Sequence, residues 1–456
     1  QRFLLIACGS KVTTEYRILD AADPTAEPRV VAPRRQGVEY GLEHAVIGGE
    51  DVLLVLHNDG AENFEIARAP ITATSHEEWV PLVPHDPEVR LEDVDAFADH
   101  LVVSQRSGGL TRLRVLGLDE SGVASDAVLE MDHPIYTVGA GANPEFAQPV
   151  LRFGYTTMAT PSAVLQVDLR TGERTLLKQT PVLGDFDPEA YEQHREWATA
   201  EDGTRVPISI VVPRGLPRDG STPFLLYGYG SYEHSVDPFF TISRLSLLDR
   251  GMGFAIAHVR GGGEMGRRWY DEGKMLHKRN TFTDFVACAR RLVEARWTAP
   301  ERLVAEGGSA GGLLMGAVAN EAPEAFRAVL AEVPFVDALT SILDPDLPLT
   351  VIEWEEWGDP LHDPEVYAYM KSYSPYENVE AKRYPAILAE TSLHDTRVLY
   401  VEPAKWVARL RATAVEPDVL LKTEMSAGHG GPSGRYNAWR DRAFSYAWVL
   451  DQVGLA

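Results

Sequence analysis

A chain of 456 residues, 45 % hydrophobic and 24 % charged, carries enough apolar sequence for two or three domains, each with its own core. Its formal net charge of −24 disfavours nucleic acid and anionic membranes as partners, because both need a basic footprint. No apolar run approaches the length of a membrane span, and two distant cysteines, Cys8 and Cys288, make neither a disulfide framework nor a metal set. A cytoplasmic protein working without metal or organic cofactor is the expectation, with Cys288 a small core residue.

The chain opens on Gln1-Arg2-Phe3, without an initiator Met or a signal-peptide pattern, and runs directly into the strand-like FLLIAC. An upstream part is therefore expected to be lacking. Strand-like runs begin at Phe3, Leu53, Leu101 and Leu151, spaced 50, 48 and 50 residues apart, and each is followed by a polar turn and a second strand. A hairpin recurring at this period reads as a β-propeller blade. About four blades are expected over residues 1–183, an incomplete propeller with an open edge. An irregular all-β domain is the alternative.

PVLGDFDP, residues 181–188, ends the repeat and reads as a linker. Beyond it, over residues 184–456, strands alternate with helices. A strand pair at Glu192–Ala198 and Val206–Val212 precedes FLLYGYG, a helix near Leu245–Asp249, FAIAHVRGGGE, and a helix near Thr281–Ala295. Later come FRAVLAEVP, PAILAET, a helix near Pro403–Ala412, VLLKTEM and a helix over Arg435–Val453. This alternation predicts a doubly wound, mostly parallel sheet with helices on both faces. Its chemistry belongs in the loops after the strands.

One such loop stands out. LVAEGGSAGGLL, residues 303–314, places Gly307-Gly308-Ser309-Ala310-Gly311 between an apolar strand and a small-residue helix. This is the G-x-S-x-G elbow, in which a sharp turn presents a serine hydroxyl above a helix N-terminus. With 38 glycines in 456 residues, chance would flank roughly 0.15 of the chain's 21 serines in this way, so the match counts. A serine hydroxyl needs a base. Two downstream loops supply candidates, Ser392-Leu393-His394-Asp395 and Ala427-Gly428-His429-Gly430, and the order Ser309, Asp395, His429 is the one this fold uses. His394 is the rival base. The backbone N–H of Ala310 and the phenol of Tyr229, in the loop after FLL, are candidate donors to an oxyanion; the tyrosines of that loop could also merely pack.

Taken together, YGYGSY, HVRGGGEMG, GGSAGGLLMG, EWEEWGDP, MKSYSPYENV, LHDTRV and GHGG resemble the prolyl oligopeptidase family of serine peptidases, and within it the branch that cuts short peptides after Arg or Lys. The resemblance implies an α/β-hydrolase domain with a seven-bladed propeller that restricts entry to short peptides. It implies a triad of Ser309, Asp395 and His429, with Tyr229 as the oxyanion phenol. Arg397 matches a position where the wider family holds a substrate carbonyl. Glu353 and Glu355 match the acids of the P1 pocket, where paired carboxylates suit a guanidinium, while Glu356 reads as a helix or surface acid. Asp237 matches one of two acids that recognise a second basic residue at P2. The other position is Phe239, so a weaker dibasic preference is expected. Short basic peptides are thus the expected substrates. The rival readings are a prolyl- or aminoacyl-cleaving peptidase of the same architecture, an esterase, and an inert propeller scaffold.

Overall fold

The computed structural model describes residues 2–120 and 122–456. They fall into two compact units: one runs to Thr157 and adds Pro161–Pro181 and Met265–Arg268; the other holds Met158–Thr160, Val182–Glu264 and Trp269–Ala456.

The first unit is a succession of antiparallel sheets. β1 (Phe3–Gly9), β2 (Thr14–Asp20) and β3 (Arg29–Val30) form a three-stranded meander. Three four-stranded meanders follow: β4 (Tyr40–Ile47), β5 (Glu50–His57), β6 (Glu65–Pro70) and β7 (Val80–Val83); β8 (Arg90–Ala96), β9 (His100–Ser107), β10 (Leu110–Asp119) and β11 (Gly122–Val128); and β12 (Thr137–Ala140), β13 (Val150–Thr156), β14 (Ala163–Asp168) and β15 (Arg174–Gln179). The periodic hairpins of the sequence are the inner pairs β5–β6, β9–β10 and β13–β14, together with β1–β2. Successive sheets pack face to face: Leu54, Leu56 and Ile66 of the second meet Leu91, Val94, Val103 and Leu116 of the third. Stacked four-stranded meanders of this kind are propeller blades.

The second unit is organised on an eight-stranded sheet. Its strands are β16 (Tyr191–Thr199), β17 (Arg205–Pro213), β18 (Phe224–Tyr227), β19 (Gly253–Ala257), β20 (Leu303–Gly308), β21 (Ala328–Glu332), β22 (Ala386–Ser392) and β23 (Val419–Glu424), in the spatial order β16-β17-β19-β18-β20-β21-β22-β23. The pairings of β17 with β16 and β19 are antiparallel, and the rest are parallel. The central strands are buried along nearly their whole length, as parallel strands covered on both faces must be. On one face the helix Arg435–Gln452 lays Tyr446, Val449 and Leu450 against Leu225, Phe254, Val304, Leu330 and Leu388. The helix Arg279–Glu294 buries Phe282, Phe285, Cys288 and Leu292. Burial pushes the Cys288 thiol well above its ordinary pKa, which suits a packing residue and not a nucleophile. The helix Ala310–Glu321 is buried from Ala310 to Asn320, which explains its small-residue composition.

Two further helices carry little signal in the sequence. Thr350–Trp357 contains the acidic stretch, and Pro364–Tyr373 is capped by Asp363, whose carboxylate accepts from the N–H of Glu365 at 2.8 Å. Among the described residues no helix is long and apolar enough to cross a membrane.

Candidate active site

The site is built where β20 ends. Ser309 sits between the strand and the helix Ala310–Glu321 with φ +57° and ψ −118°, a conformation that a side chain rarely adopts. Its backbone is over-determined: the N–H donates to the Glu332 carbonyl at 2.8 Å, and the carbonyl accepts from Gly312 at 2.9 Å and Phe335 at 3.1 Å. Strain at a functional residue persists only under such fixation. The flanking glycines make the turn possible. A Cβ on Gly307 would lie 2.5 Å from the Gly311 carbonyl oxygen, and one on Gly311 would lie 2.7 Å from that of Gly228. Gly311→Ala is accordingly expected to destabilise the protein by about 1–3 kcal/mol and to displace the backbone beside Tyr229. Denaturant midpoints measure the first effect and kcat the second; an unchanged midpoint would show that the turn can yield.

Three side chains from three loops converge. His429 Nδ1 lies 2.6 Å from Asp395 Oδ2, and His429 Nε2 lies 3.1 Å from Ser309 Oγ. Asp395 is buried, and its other oxygen accepts the backbone N–H groups of Arg397 at 2.9 Å and Val398 at 3.0 Å. A carboxylate held by backbone donors on one oxygen presents the second as an acceptor, so His429 carries its proton on Nδ1 and turns a lone pair at Nε2 toward the serine. That arrangement can take the Ser309 proton and return it to a leaving group. His394 is exposed, and its neighbour Asp395 is committed to His429.

Tyr229 reaches the same centre. It hydrogen-bonds Ser309, while burial and the charges of Glu356 and Glu353 push its phenol up to about 12, so it remains a donor at neutral pH. Arg397, exposed, pulls the phenol the other way. Ala310 begins the helix, where backbone N–H groups have no intrahelical acceptor. Tyr229 packs on Tyr232 with ring centroids 6.4 Å apart, and the Tyr232 hydroxyl donates to Glu353 Oε2 at 2.5 Å. Trp357 Nε1 donates to the same oxygen at 2.7 Å. A continuous run of contacts therefore leads from Ser309 through Tyr229 and Tyr232 to Glu353.

The acidic stretch differs from its sequence reading in one respect. Glu356, which reads as a helix or surface acid, is fully buried, with Oε1 accepting from the Tyr232 backbone N–H at 2.9 Å and Oε2 from the Tyr270 hydroxyl at 2.6 Å. The reason is helical: residues three and four apart share a face, so Glu353, Glu356 and Trp357 point together. Glu355, two residues from Glu353, lies about 200° around the helix, and the structure does not bring these two carboxylates onto one face. Asp237 is half-buried in the loop after β18, where its charge acts on Arg195 and His258; Phe239 is exposed.

Behind the elbow the sequence offers no signal for a second charged group. Arg442, on the helix Arg435–Gln452, donates to Glu306 at 2.7 Å and pairs with Glu332 at 2.9 Å, tying together the ends of β20 and β21. Burial and the neighbouring Glu306 push the Glu332 carboxyl up to about 7. A cleft of about 370 Å³ opens here, lined by Ser309, His429, Glu332, Glu390, Lys422 and Arg442. Among the described residues no cluster of His, Cys, Asp and Glu could hold a metal ion.

A serine, histidine and aspartate so arranged on a doubly wound sheet define an α/β-hydrolase, here with a β-propeller domain in the same chain. Comparison with known proteins places it more closely. Residues 238–456 match the Prolyl oligopeptidase family and residues 1–180 the Prolyl oligopeptidase, N-terminal beta-propeller domain. The chain belongs to the prolyl oligopeptidase family. It is 46 % identical to Dipeptidyl aminopeptidase BI of Pseudoxanthomonas mexicana, with 100 % of this chain and 62 % of the relative covered. It is 44 % identical to Protease 2 of Moraxella lacunata, covering 100 % and 64 % respectively. Among solved structures, Oligopeptidase B from Leishmania major superposes with a TM-score of 0.93 at 41 % identity, again over 100 % of this chain and 64 % of that one. The chain thus spans a little under two thirds of the length of these relatives.

Proposed function

We propose that the protein is a serine peptidase that cleaves short peptides after Arg or Lys through an acyl-enzyme. In this reading Ser309 Oγ attacks the scissile carbonyl as His429 accepts its proton. Asp395 holds the ring and stabilises the imidazolium, and the Tyr229 phenol with the Ala310 N–H receives the oxyanion. His429 then protonates the leaving amine, and water repeats the sequence to release the acyl group. Arg397, on the exposed rim beside Asp395, is suited to the substrate carbonyl.

The observation that carries the P1 preference is the Glu353 carboxylate. It is half-buried at the end of the contact run from Ser309, with Oε2 doubly bonded by neutral donors, and no Lys or Arg among the described residues lies within ion-pair distance of it. A half-buried carboxylate without a cation is incompletely compensated, and a substrate guanidinium or ammonium would supply the missing charge. Glu353 is therefore the principal P1 acid. Glu355, on another face, contributes a longer-range field.

Glu353→Gln tests this. We expect kcat/KM for a peptide amide with Arg at P1 to fall roughly 10²-fold, while the amide of citrulline, its uncharged counterpart, changes little. Equal losses on both would discard the cation pocket and favour the prolyl- or aminoacyl-cleaving readings. Because a 46 % identical relative bears the name Dipeptidyl aminopeptidase BI, the same assay on N-acetylated and free dipeptidyl substrates separates internal cleavage from release of N-terminal dipeptides. The propeller's contribution, and the acids assigned to P2, of which only Asp237 is present, are read from the length and sequence of accepted peptides.

A further inference from the structure

Two carboxylates lie one helical turn apart beside the proposed P1 site, and among the described residues a cation faces only one of them. That cation is Lys278. Its side chain is fully buried, and its ammonium donates to the Gly230 carbonyl at 2.5 Å, the Ser231 hydroxyl at 2.8 Å and the Gly273 carbonyl at 3.2 Å. All three N–H donors are thus used. The ammonium also lies 5.0 Å from the centroid of the Trp357 ring and interacts with the charge of Glu356.

The position of these contacts matters more than their number. Gly230 and Ser231 are the two residues between Tyr229 and Tyr232. Tyr229 faces Ser309, and Tyr232 faces Glu353. Glu356 grips the far end of the same turn through the Tyr232 N–H. Gly230 takes φ +72° and could carry no Cβ, which would lie 2.4 Å from Thr281 and 2.7 Å from Val259. The turn is therefore clamped from one side by Lys278 and from the other by Glu356, whose charges compensate each other. Glu353, one turn away, keeps its charge for a ligand.

We infer that Lys278 is a positioning residue that fastens the turn carrying Tyr229 and Tyr232, so that the oxyanion donor and the P1 cation pocket are held in place by one buried ammonium. This inference deepens the peptidase reading and rests on it. Loss of the ammonium frees both tyrosines together: the turnover number falls for every substrate because Tyr229 drifts, and charge discrimination weakens because Tyr232 no longer orients Glu353.

A second consequence concerns pH. Burial pushes the Lys278 ammonium down to about 8, with Glu356 opposing that shift. The other titratable groups around it are Tyr270, whose hydroxyl donates to Glu356, Tyr232, whose hydroxyl donates to Glu353 one turn earlier, and Tyr373, whose hydroxyl feels the Glu356 carboxylate. The tyrosines for which burial raises the phenol, Tyr232 and Tyr373, stay neutral through this range. As pH rises through about 8 the ammonium loses its proton and its third donor, and the clamp loosens.

The experiment compares the wild type, Lys278→Met and the charge-neutral double variant Lys278→Met/Glu356→Gln on matched Arg and citrulline peptide amides between pH 6 and 9.5. The wild type should show an alkaline fall in kcat on both substrates with a midpoint near 8. The variants should lose kcat 10- to 100-fold on citrulline as well as on Arg at pH 7, and should lack that alkaline limb. Variant kcat within twofold of wild type, or a limb that persists unchanged in the variants, would overturn the inference. Should neither variant fold, the wild-type profile decides: a kcat flat to pH 9.5 overturns it. A wild type that hydrolyses both amides equally would refute the cation pocket alone, because the kcat loss on citrulline still reads out Lys278.

Discussion

Replacing Ser309 by glycine is expected to abolish hydrolysis and at the same time to raise stability by about 1 kcal/mol. The two effects have different origins. In the proposed mechanism removing Oγ removes the nucleophile, and with serine hydrolase nucleophiles this lowers kcat by about a million-fold, leaving only the contribution of binding and oxyanion donors. The stability gain comes from the backbone. At φ +57° and ψ −118° the Cβ of Ser309 is crowded, at a cost of about 1–3 kcal/mol, of which glycine recovers all but its own larger chain entropy of about 0.5–1 kcal/mol. Ser309→Ala separates the terms, since it keeps the Cβ and should lose activity without the gain. Turnover of an Arg peptide amide and denaturant midpoints of the three proteins are the measurements. Residual kcat above a hundredth of wild type in either variant would mean that Ser309 is not the nucleophile, and equal midpoints for glycine and alanine would mean that the elbow is not strained.

The tight coupling of strain to chemistry explains which parts of the molecule can be read from sequence. The elbow is legible because its constraint is local: glycines at 307 and 311 avoid backbone oxygens within a few residues or across one strand, so the requirement is written in five consecutive letters. The loop bearing Asp395 is legible for a related reason, lying at the end of a fully buried apolar strand, and the His429 loop follows the apolar start of β23 and is marked by its own glycines. The clamp at Lys278 is not legible. Its members come from the loop after β18, from residues 270–278 and from the helix Thr350–Trp357, and no single stretch betrays them. A buried lysine or glutamate looks like any surface one until its partners are known. For the same reason Glu356 of EWEEW reads as a helix or surface acid, although its helical spacing is what places Glu356 inside and separates Glu355 from Glu353.

The propeller shows the same division. The inner strands β5 and β9 are buried along most of their length by neighbouring sheets and stand out as apolar runs. The outer strands β11 and β15 are exposed along almost their whole length, so neither alternation nor an apolar run marks them. They are strands because of the partner they pair with, β10 and β14 respectively, and not because of their own composition.

Asp395→Asn should cost about 10⁴-fold in kcat with little change in fold, and the reason lies in which oxygen the backbone holds. Asp395 Oδ1 accepts two N–H groups, from Arg397 and Val398. An asparagine at this position keeps its carbonyl oxygen there, since its amide nitrogen can accept nothing, and must therefore turn its NH₂ toward His429. Two donors cannot face each other, so the imidazole moves its proton from Nδ1 to Nε2. At 3.1 Å from Ser309 Oγ, Nε2 then donates where it must accept, and the serine has no base. The imidazolium that forms during attack also loses the negative charge that stabilises it. His394→Ala serves as the control: its ring is exposed and outside this relay, and kcat should stay within twofold. The pair of variants is measured on the same Arg and citrulline amides, with circular dichroism to verify folding. Equal relative losses on both substrates are expected from Asp395→Asn, because the tautomer is upstream of any P1 contact. A loss of less than tenfold would mean that another group orients His429, and a large loss from His394→Ala would identify it as the base.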